Sequence, residues 1–422
     1  MRVLVLGATG FIGQHLVRAL DIAGHDTCCA GRNPGKLRQL FPAHSHVLLD
    51  LEATAQAPNW PVILQGVDVV VNAAGVLQGR GMAAVQAAGP VALFQAARMC
   101  GIGRLVQISA LGAADDAATP FLRTKAVADN AVLANRPPGW TVVRPSLVYG
   151  PGGGSAELFA ALAALPIQVR IGGGMVRPIQ VGDLAAGIVR LLEAERPLSP
   201  ILEAVGPEET TIEGFVEEFR RWLGLPPVPG IPIPAGLLAL LGRVGGLFSP
   251  GLVSPDTLRM LERGATADPE PFVTATGLKP ASVREGLART PATRADRMAS
   301  FLYFLRAPLR WSLAFLWVIS GLVSLGFYPL GDSLALLAAV GIEGPWAVPL
   351  LYAASAWDMA LGIGLAVGWR VRLVGGLQLA TMAAYTTLLS AFLPALWLHP
   401  FGPVFKNIPL AVATVVMMAL EE

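Results

Sequence analysis

The chain has 422 residues, of which 54% are hydrophobic and only 14% charged, and its formal net charge is +2. Soluble proteins carry about 25% charged residues, so part of this chain is expected to meet lipid, while the near-neutral balance gives no basic footprint for nucleic acid. The length suits two to three domains at roughly 150 residues each. Of the three cysteines, Cys28 and Cys29 are adjacent and Cys100 stands alone, which argues against a disulfide framework and reads as small buried hydrophobes. With no zinc-like Cys/His spacing, no metal is expected.

The segment MRVLVLG opens the sequence. Its about five apolar residues before a glycine turn are too few for the roughly 7–15 of a signal-peptide core. It reads as a short strand buried on both faces, and the domain it begins is expected to stay in the cytoplasm. Gly7, Gly10 and Gly13 then make G-x-x-G-x-x-G, directly after the strand and at the start of a helix predicted over 11–23. Glycines there permit a tight turn and a close approach of backbone to pyrophosphate, and the helix N-terminus offers free N–H groups and a positive dipole end. The turn, which also carries Thr9, Phe11 and Ile12, is a candidate dinucleotide site.

The end of the next strand, DTCCA, selects the dinucleotide. An acid there would bond the ribose 2′-hydroxyl of NAD, whereas an arginine suits the 2′-phosphate of NADP. The sequence reads CCAGRNPGKL, with Arg32 and Lys36 and no acid at the strand end, which favours NADP(H) over NAD. A third strand, HVLLD, ends at Asp50, placed either to meet the adenine edge or to cap a helix. VDVVVNAAG supplies a fourth strand running into Asn72, Ala73, Ala74 and Gly75, and RLVQISA and WTVVRPS supply two more, with a helical stretch over 82–100 among them. Buried strands alternating with helices mean the parallel sheet of an α/β fold.

Further on, GPGGGS at 150–155 reads as a flexible loop that lacks the G-K-[ST] ending of a phosphate loop. Asp183 stands just before an amphipathic helix and is expected to cap it; Arg177 either faces an anionic ligand or joins a surface pair. The Pro- and Gly-rich stretch 224–255, with its apolar core GLLALLGRVGGLF, reads as a small substrate-side lobe. Residues 281–300 are charged and polar and look like a linker or last helix before the solvent changes.

From about 311 the pattern is different. Trp311–Phe327 and Leu373–Leu398 carry no charge, Trp346–Trp369 carries Asp358, and Phe401–Leu420 carries Lys406 near its start. About 20 apolar residues span a bilayer, so four transmembrane helices are expected. The fourth has an apolar core, 408–420, shorter than a span, and relies on Lys406 snorkelling to the interface. Arg297, Arg306 and Arg310 precede the first span and Arg370 and Arg372 lie between the second and third, while the first connection carries only Asp332 and Glu343. The positive-inside rule then puts the N-terminal domain and the C-terminus in the cytoplasm, on a multi-pass protein of the inner membrane. Asp358 is costly within a span and is expected to meet other helices or a polar group.

Taken together, GATGFIG, NAAG, ISALGA, Lys125 and RPSLVYGPGG resemble an extended or atypical, epimerase-like short-chain dehydrogenase/reductase. The nearest pattern is that of the dehydrogenase-like accessory subunit of respiratory complex I. The resemblance covers roughly 1–290, followed by a linker over 291–310. The stretch 311–422 is similar, through less specific motifs, to the DoxX-like four-helix membrane family. The fold expected is therefore α/β, a Rossmann-type doubly wound parallel sheet with a substrate-side lobe, followed by an all-α four-helix transmembrane domain.

In such enzymes the resemblance implies that a tyrosine acts as acid–base, a lysine four residues later holds the nicotinamide ribose, and a serine on the fifth strand orients the carbonyl. Ser109 and Lys125 occupy the serine and lysine positions, and Tyr149 belongs to the pocket wall. The tyrosine position is Phe121, and a phenyl ring has no proton to give. Two expectations follow. One is hydride transfer to an unidentified acceptor, quinone- or flavin-like, that takes its proton elsewhere. The other is a non-catalytic NADP(H)-binding subunit that meets a membrane protein partner.

Overall fold

The apolar runs of the N-terminal half become parallel strands. The computed structural model describes residues 1–52, 58–79, 81–134, 136–170, 172–232, 236 and 254–421. In chain order the strands are β1 (Arg2–Leu6), β2 (Asp26–Gly31), β3 (Ser45–Leu48), β4 (Val69–Asn72), β5 (Arg104–Ile108), β6 (Trp140–Pro145), β7 (Val148–Tyr149), β8 (Gln168–Arg170), β9 (Ile179–Gln180), β10 (Ile201–Ala204) and β11 (Gly230–Pro232). Between them lie helices α1 (Phe11–Ile22), α2 (Pro34–Leu40), α3 (Trp60–Ile63), α4 (Gly89–Met99), α5 (Pro120–Leu133), α6 (Gly154–Ala164), α7 (Val181–Glu193) and α8 (Ile212–Trp222).

Seven strands form one parallel sheet in the order β10-β6-β5-β4-β1-β2-β3. Both faces are covered, which is why Val3–Leu6 and Val69–Val71 are apolar without alternation. On one face Leu16, Val17 and Leu20 of α1 pack with Leu184, Ile188 and Leu191 of α7. On the other, Leu93 and Phe94 of α4 and Val132 of α5 pack with Trp140. The strand order reverses beside β1, between it and β4, and a crevice opens there at the C-terminal ends of the strands. Cys28 and Cys29 are buried and Cys100 exposed, all three free; burial pushes the Cys29 thiol up to about 12.

The lobe is built on the β7–β9 and β8–β11 pairs and a cluster of Tyr149, Phe159, Phe215 and Phe219. The Tyr149 hydroxyl donates to the Ser282 carbonyl at 3.3 Å. Asp183 does not cap α7 as expected. The cap is Gln180, whose side chain accepts from the amides of Gly182 and Asp183. Asp183 sits within the first turn, where its carboxylate accepts from the Ala281 amide at 2.8 Å and pairs with Arg289 at 2.5 Å. Arg177 joins Glu209 in a surface pair at 3.6 Å. The apolar core expected within 224–255 lies largely outside the described residues.

The chain divides into two units, Met1–Phe301 and Leu302–Glu422. The second is helical. Among the described residues, three helical stretches are long and apolar enough to cross a membrane: Arg294–Phe327, Gly344–Ala366 and Val371–Phe392. The fourth apolar helix, Asn407–Leu420, has 14 residues, about 21 Å at 1.5 Å per residue, against roughly 30 Å of hydrocarbon. A further helix, Leu330–Ala339, occupies what the sequence suggests is a plain connection. Small residues let the helices close up: a side chain at Gly321 would strike the Ser355 carbonyl, and one at Gly362 the Ala314 carbonyl. Asp358 accepts a long 3.4 Å hydrogen bond from the Tyr385 hydroxyl.

Candidate cofactor site

The glycine turn sits between β1 and α1 at the crevice, and each glycine has a separate reason. Gly7 has φ +72°, and a Cβ there would come within 2.9 Å of the Ala73 and Ala74 backbone, so β4 can approach only a glycine. A Cβ on Gly13 would lie 2.1 Å from the Gly7 carbonyl, so α1 packs directly on the turn. Gly10 is the N-cap of α1 and has no side-chain acceptor. The first-turn amides are therefore left for an incoming anion.

A cavity of about 360 Å³ lies over this turn. Gly7, Thr9, Gly10, Arg32, Asp50, Ala73, Ala74 and Gly75 all line it. The other residues expected at the site lie around it. Phe11 stacks edge-on against His15 and would touch any side chain placed at Gly153, so it joins the turn to the 150–155 loop. Ile12 packs on the core behind α1. Asn72 is fully buried and faces the sheet: its amide donates to Gln107 at 2.7 Å and its carbonyl accepts from the Ala74 amide at 3.2 Å. It shapes the backbone that the cavity sees. Asp50 caps the Glu52 amide at 2.9 Å, a turn rather than a helix.

Lys125 lies at the other end of the crevice. Its ammonium donates to the Ile108 carbonyl at 2.9 Å and to the Ala74 carbonyl at 3.3 Å, tying the ends of β5 and β4. A Cβ on Gly75 would sit 3.2 Å from this nitrogen, so the lysine reaches the cavity's edge. Burial lowers its pKa to about 8, and Asp129, one helical turn on, opposes the drop. Ser109, just past β5, donates to Asp129 at 2.8 Å. Asp129 also takes Nε and Nη2 of Arg144, each at 2.9 Å. Its pKa is raised by burial and held back by the Ser109 and Arg144 bonds. Phe121 is half-buried, one turn before Lys125 on α5.

Residues 3–200 match the NAD dependent epimerase/dehydratase family, and residues 314–415 match the DoxX-like family. The chain joins an epimerase-type, short-chain-dehydrogenase-like NAD(P)-binding domain to a DoxX-like domain. The NAD(P)-binding domain is similar to a ceramide reductase of Caulobacter vibrioides, 30% identical over 50% of this chain and 66% of that one, so about two thirds of the relative's length is spanned. It is also similar to the mitochondrial NADH dehydrogenase [ubiquinone] 1 alpha subcomplex subunit 9 of Arabidopsis thaliana, 27% identical over 60% and 71% of the two chains. Among solved structures, the NADPH complex of an NADPH-dependent quinone oxidoreductase from Escherichia coli shares the fold, with a TM-score of 0.55 at 18% identity over 68% of this chain and 99% of the other.

The NAD(P)-binding domain holds four residues that the sequence reading missed. Glu52 pairs with Arg32 at 3.2 Å across the cavity mouth. Gln86 is buried in a single π-helical turn, Ala84–Ala88, where it bonds the Val76 carbonyl and accepts from Thr124 at 3.0 Å. Such turns collect at functional sites. Asp129 and Arg144 had a legible signal. Asp129 shares a helix face with Lys125 at i,i+4, and Arg144 interrupts an otherwise apolar strand, which asks for a buried partner.

Proposed function

We propose that the chain is a membrane-anchored NAD(P)H-binding reductase, NADP(H)-preferring, whose electron acceptor is a lipid-soluble carbonyl or quinone-like molecule. The observation that carries this reading is the placement of Lys125 between the ends of β4 and β5, against Gly75 and on the edge of a glycine-turn cavity. The residues fit a dinucleotide. A side chain at Gly10 would crowd the Gly7 carbonyl, 3.1 Å from its Cβ, and the first-turn amides of α1 suit a pyrophosphate. When bound, the nicotinamide supplies the hydride. Lys125 would hold the adjoining ribose, Asn72 shapes the Ala73–Gly75 wall, and Phe121 offers an apolar surface in place of an acid. The proton must then come from water or the acceptor itself.

The NADP preference rests on Arg32. Its partner Glu52 forms a solvent-exposed pair, worth about 0–1 kcal/mol, so a 2′-phosphate can take its place through the stronger fork of a guanidinium. The name of the ceramide reductase relative supports a lipid substrate class. The arginines flanking the spans support an inner-membrane protein with the N-terminal unit in the cytoplasm. Exposed Cys100 tests that orientation through labelling with a membrane-impermeant maleimide in intact and opened cells.

A second reading, a non-catalytic NADP(H)-binding subunit of a membrane complex, is favoured by two observations. Phe121 has no proton, and the Ser109 hydroxyl hydrogen is already given to Asp129. The full chain in detergent is to be titrated with NADPH and NADH, then assayed for NADPH oxidation with quinones and long-chain carbonyls. Tighter NADPH binding with turnover is expected. Binding without turnover leaves only the second reading, and no binding of either nucleotide sinks both. Arg32→Asp should lower NADPH affinity about tenfold or more, the loss of one charge-assisted contact.

A further inference from the structure

At the turn joining the two membrane-length helices Gly344–Ala366 and Val371–Phe392, a cavity of about 340 Å³ is lined by Arg310, Arg370, Arg372, Gly368, Leu373 and Glu421. Three guanidiniums face one carboxylate among the described residues. That carboxylate is already engaged: it accepts from Arg310 at 3.0 Å, and the Glu421 main-chain carbonyl accepts from Arg372 at 3.1 Å. Arg370 has no carboxylate partner among the described residues, and its guanidinium lies 5.9 Å over the Trp369 ring. The Arg310 Nε is shut off from solvent with no acceptor among them.

The placement of the charges is unusual. Arg370 is the N-cap of Val371–Phe392, with φ 42° and no side-chain cap. It offers no acceptor to the first-turn amides, and a helix N-terminus is the positive end of the dipole, where cations are disfavoured. Among the described residues Glu421 offsets only one of the three guanidiniums gathered there, and a further anion would relieve the remaining repulsion with one another and with the dipole. The flanking helices are long enough to place the turn at a membrane boundary, and Trp369, 57% exposed beside it, is the residue type that sits at lipid headgroups.

We propose that this cavity binds the phosphate of an anionic phospholipid headgroup. Guanidinium forks and free amides match phosphate oxygens geometrically, and a bilayer presents that group at the depth of Trp369.

The test follows thermal unfolding of the full chain in neutral detergent micelles. The additives are phosphatidylglycerol, phosphatidylcholine or inorganic phosphate, and phosphatidylglycerol binding is measured in parallel. Phosphatidylglycerol alone should raise the midpoint. Arg370→Asn keeps a residue that tolerates positive φ but removes the charge; it and Arg372→Gln should abolish the rise and weaken phosphatidylglycerol binding about tenfold or more. Arg370→Lys should retain part of both. An equal rise with phosphatidylcholine, or a rise that survives both charge removals, overturns the proposal. An equal rise with inorganic phosphate overturns the assignment to lipid and leaves a site for the free ion. If Arg370→Asn does not fold, Arg372→Gln and Arg370→Lys still decide the outcome.

Discussion

Among the described residues both units leave some buried polar atoms unpaired, Thr27 Oγ1, Trp60 Nε1 and Asp129 Oδ1 in the first and Trp317 Nε1 and the Gln378 amide in the second. Yet the buried amides and charges at the strand ends of the first are far better bonded than the glutamine inside the second. In Met1–Phe301 the interior polar side chains at the strand ends have partners: Asn72 bonds Gln107, Ser109 and Arg144 bond Asp129, and Lys125 bonds two main-chain carbonyls. In Leu302–Glu422 the Gln378 side chain is fully buried, yet neither amide atom has a partner among the described residues, and the Trp317 indole nitrogen is in the same state. Outside, Phe315, Ile319, Val412 and Val415 are exposed. The competing solvent explains the difference. A polar group leaving the sheet domain gains water, so a buried amide or charge there is held by making most of its bonds, as Asp129 does through one oxygen while the other stays unpaired. A glutamine leaving a bundle for lipid tails gains nothing, so an unmade bond is tolerated there.

The largest loss of stability is expected for Asp129→Leu. It strands Arg144 and Ser109, and unfolding of the N-terminal unit by denaturant should lose about 3–5 kcal/mol; a loss near zero would show that the bonded cluster does not matter to folding. A matched pair comes next. Asn72→Leu leaves the Gln107 side-chain oxygen and the Ala74 amide unpaired and should cost about 1–3 kcal/mol, whereas Gln378→Leu should be neutral or stabilising in detergent. Equal costs for the two would erase the distinction between the units.

Lys125 gives the third test. Its pKa is about 8 in the fold and about 10.5 when unfolded. Above pH 8 the unfolded chain therefore binds the extra proton, and stability rises with pH by up to about 1.4 kcal/mol per unit until about pH 10.5. Lys125→Met should flatten that slope when unfolding is followed from pH 7 to pH 10. The smallest effect is at the rim. Glu52→Gln frees Arg32 and should tighten NADPH binding by at most about fivefold, since the exposed pair is worth less than about 1 kcal/mol; a weaker NADPH complex would mean that Glu52 helps hold the nucleotide.

Six of the seven sheet strands were legible, five of them because strands covered on both faces are largely apolar runs, as in Val3–Leu6 and Val69–Val71, and the exposed edge strand Ser45–Leu48 through its short HVL run. The seventh, ILEA at Ile201–Ala204, was hidden by the glutamate in its middle. The glycine turn was legible because its spacing follows from backbone geometry that glycine alone permits, as the Gly7 and Gly13 contacts illustrate. The pairing of Arg32 with Glu52 was not, because residues 20 apart meet only through the packing of β2 and β3. Asp183 misled because position before a helix suggests a cap, while Gln180, an uncommon capping residue, took that role and left the carboxylate for Arg289.

That last bond has a consequence for how the protein is made. Asp183 and Tyr149 are held by residues 281–289, about 100 positions or more downstream, so the nascent lobe cannot lock until Arg289 has been synthesised and released. Translation adds about 5–20 residues per second, and the first membrane-length stretch has already begun at Arg294. Closure of the dinucleotide domain and delivery of the first apolar helix to the bilayer therefore compete within the same few seconds, and a slow lobe would be handed to the insertion machinery still open.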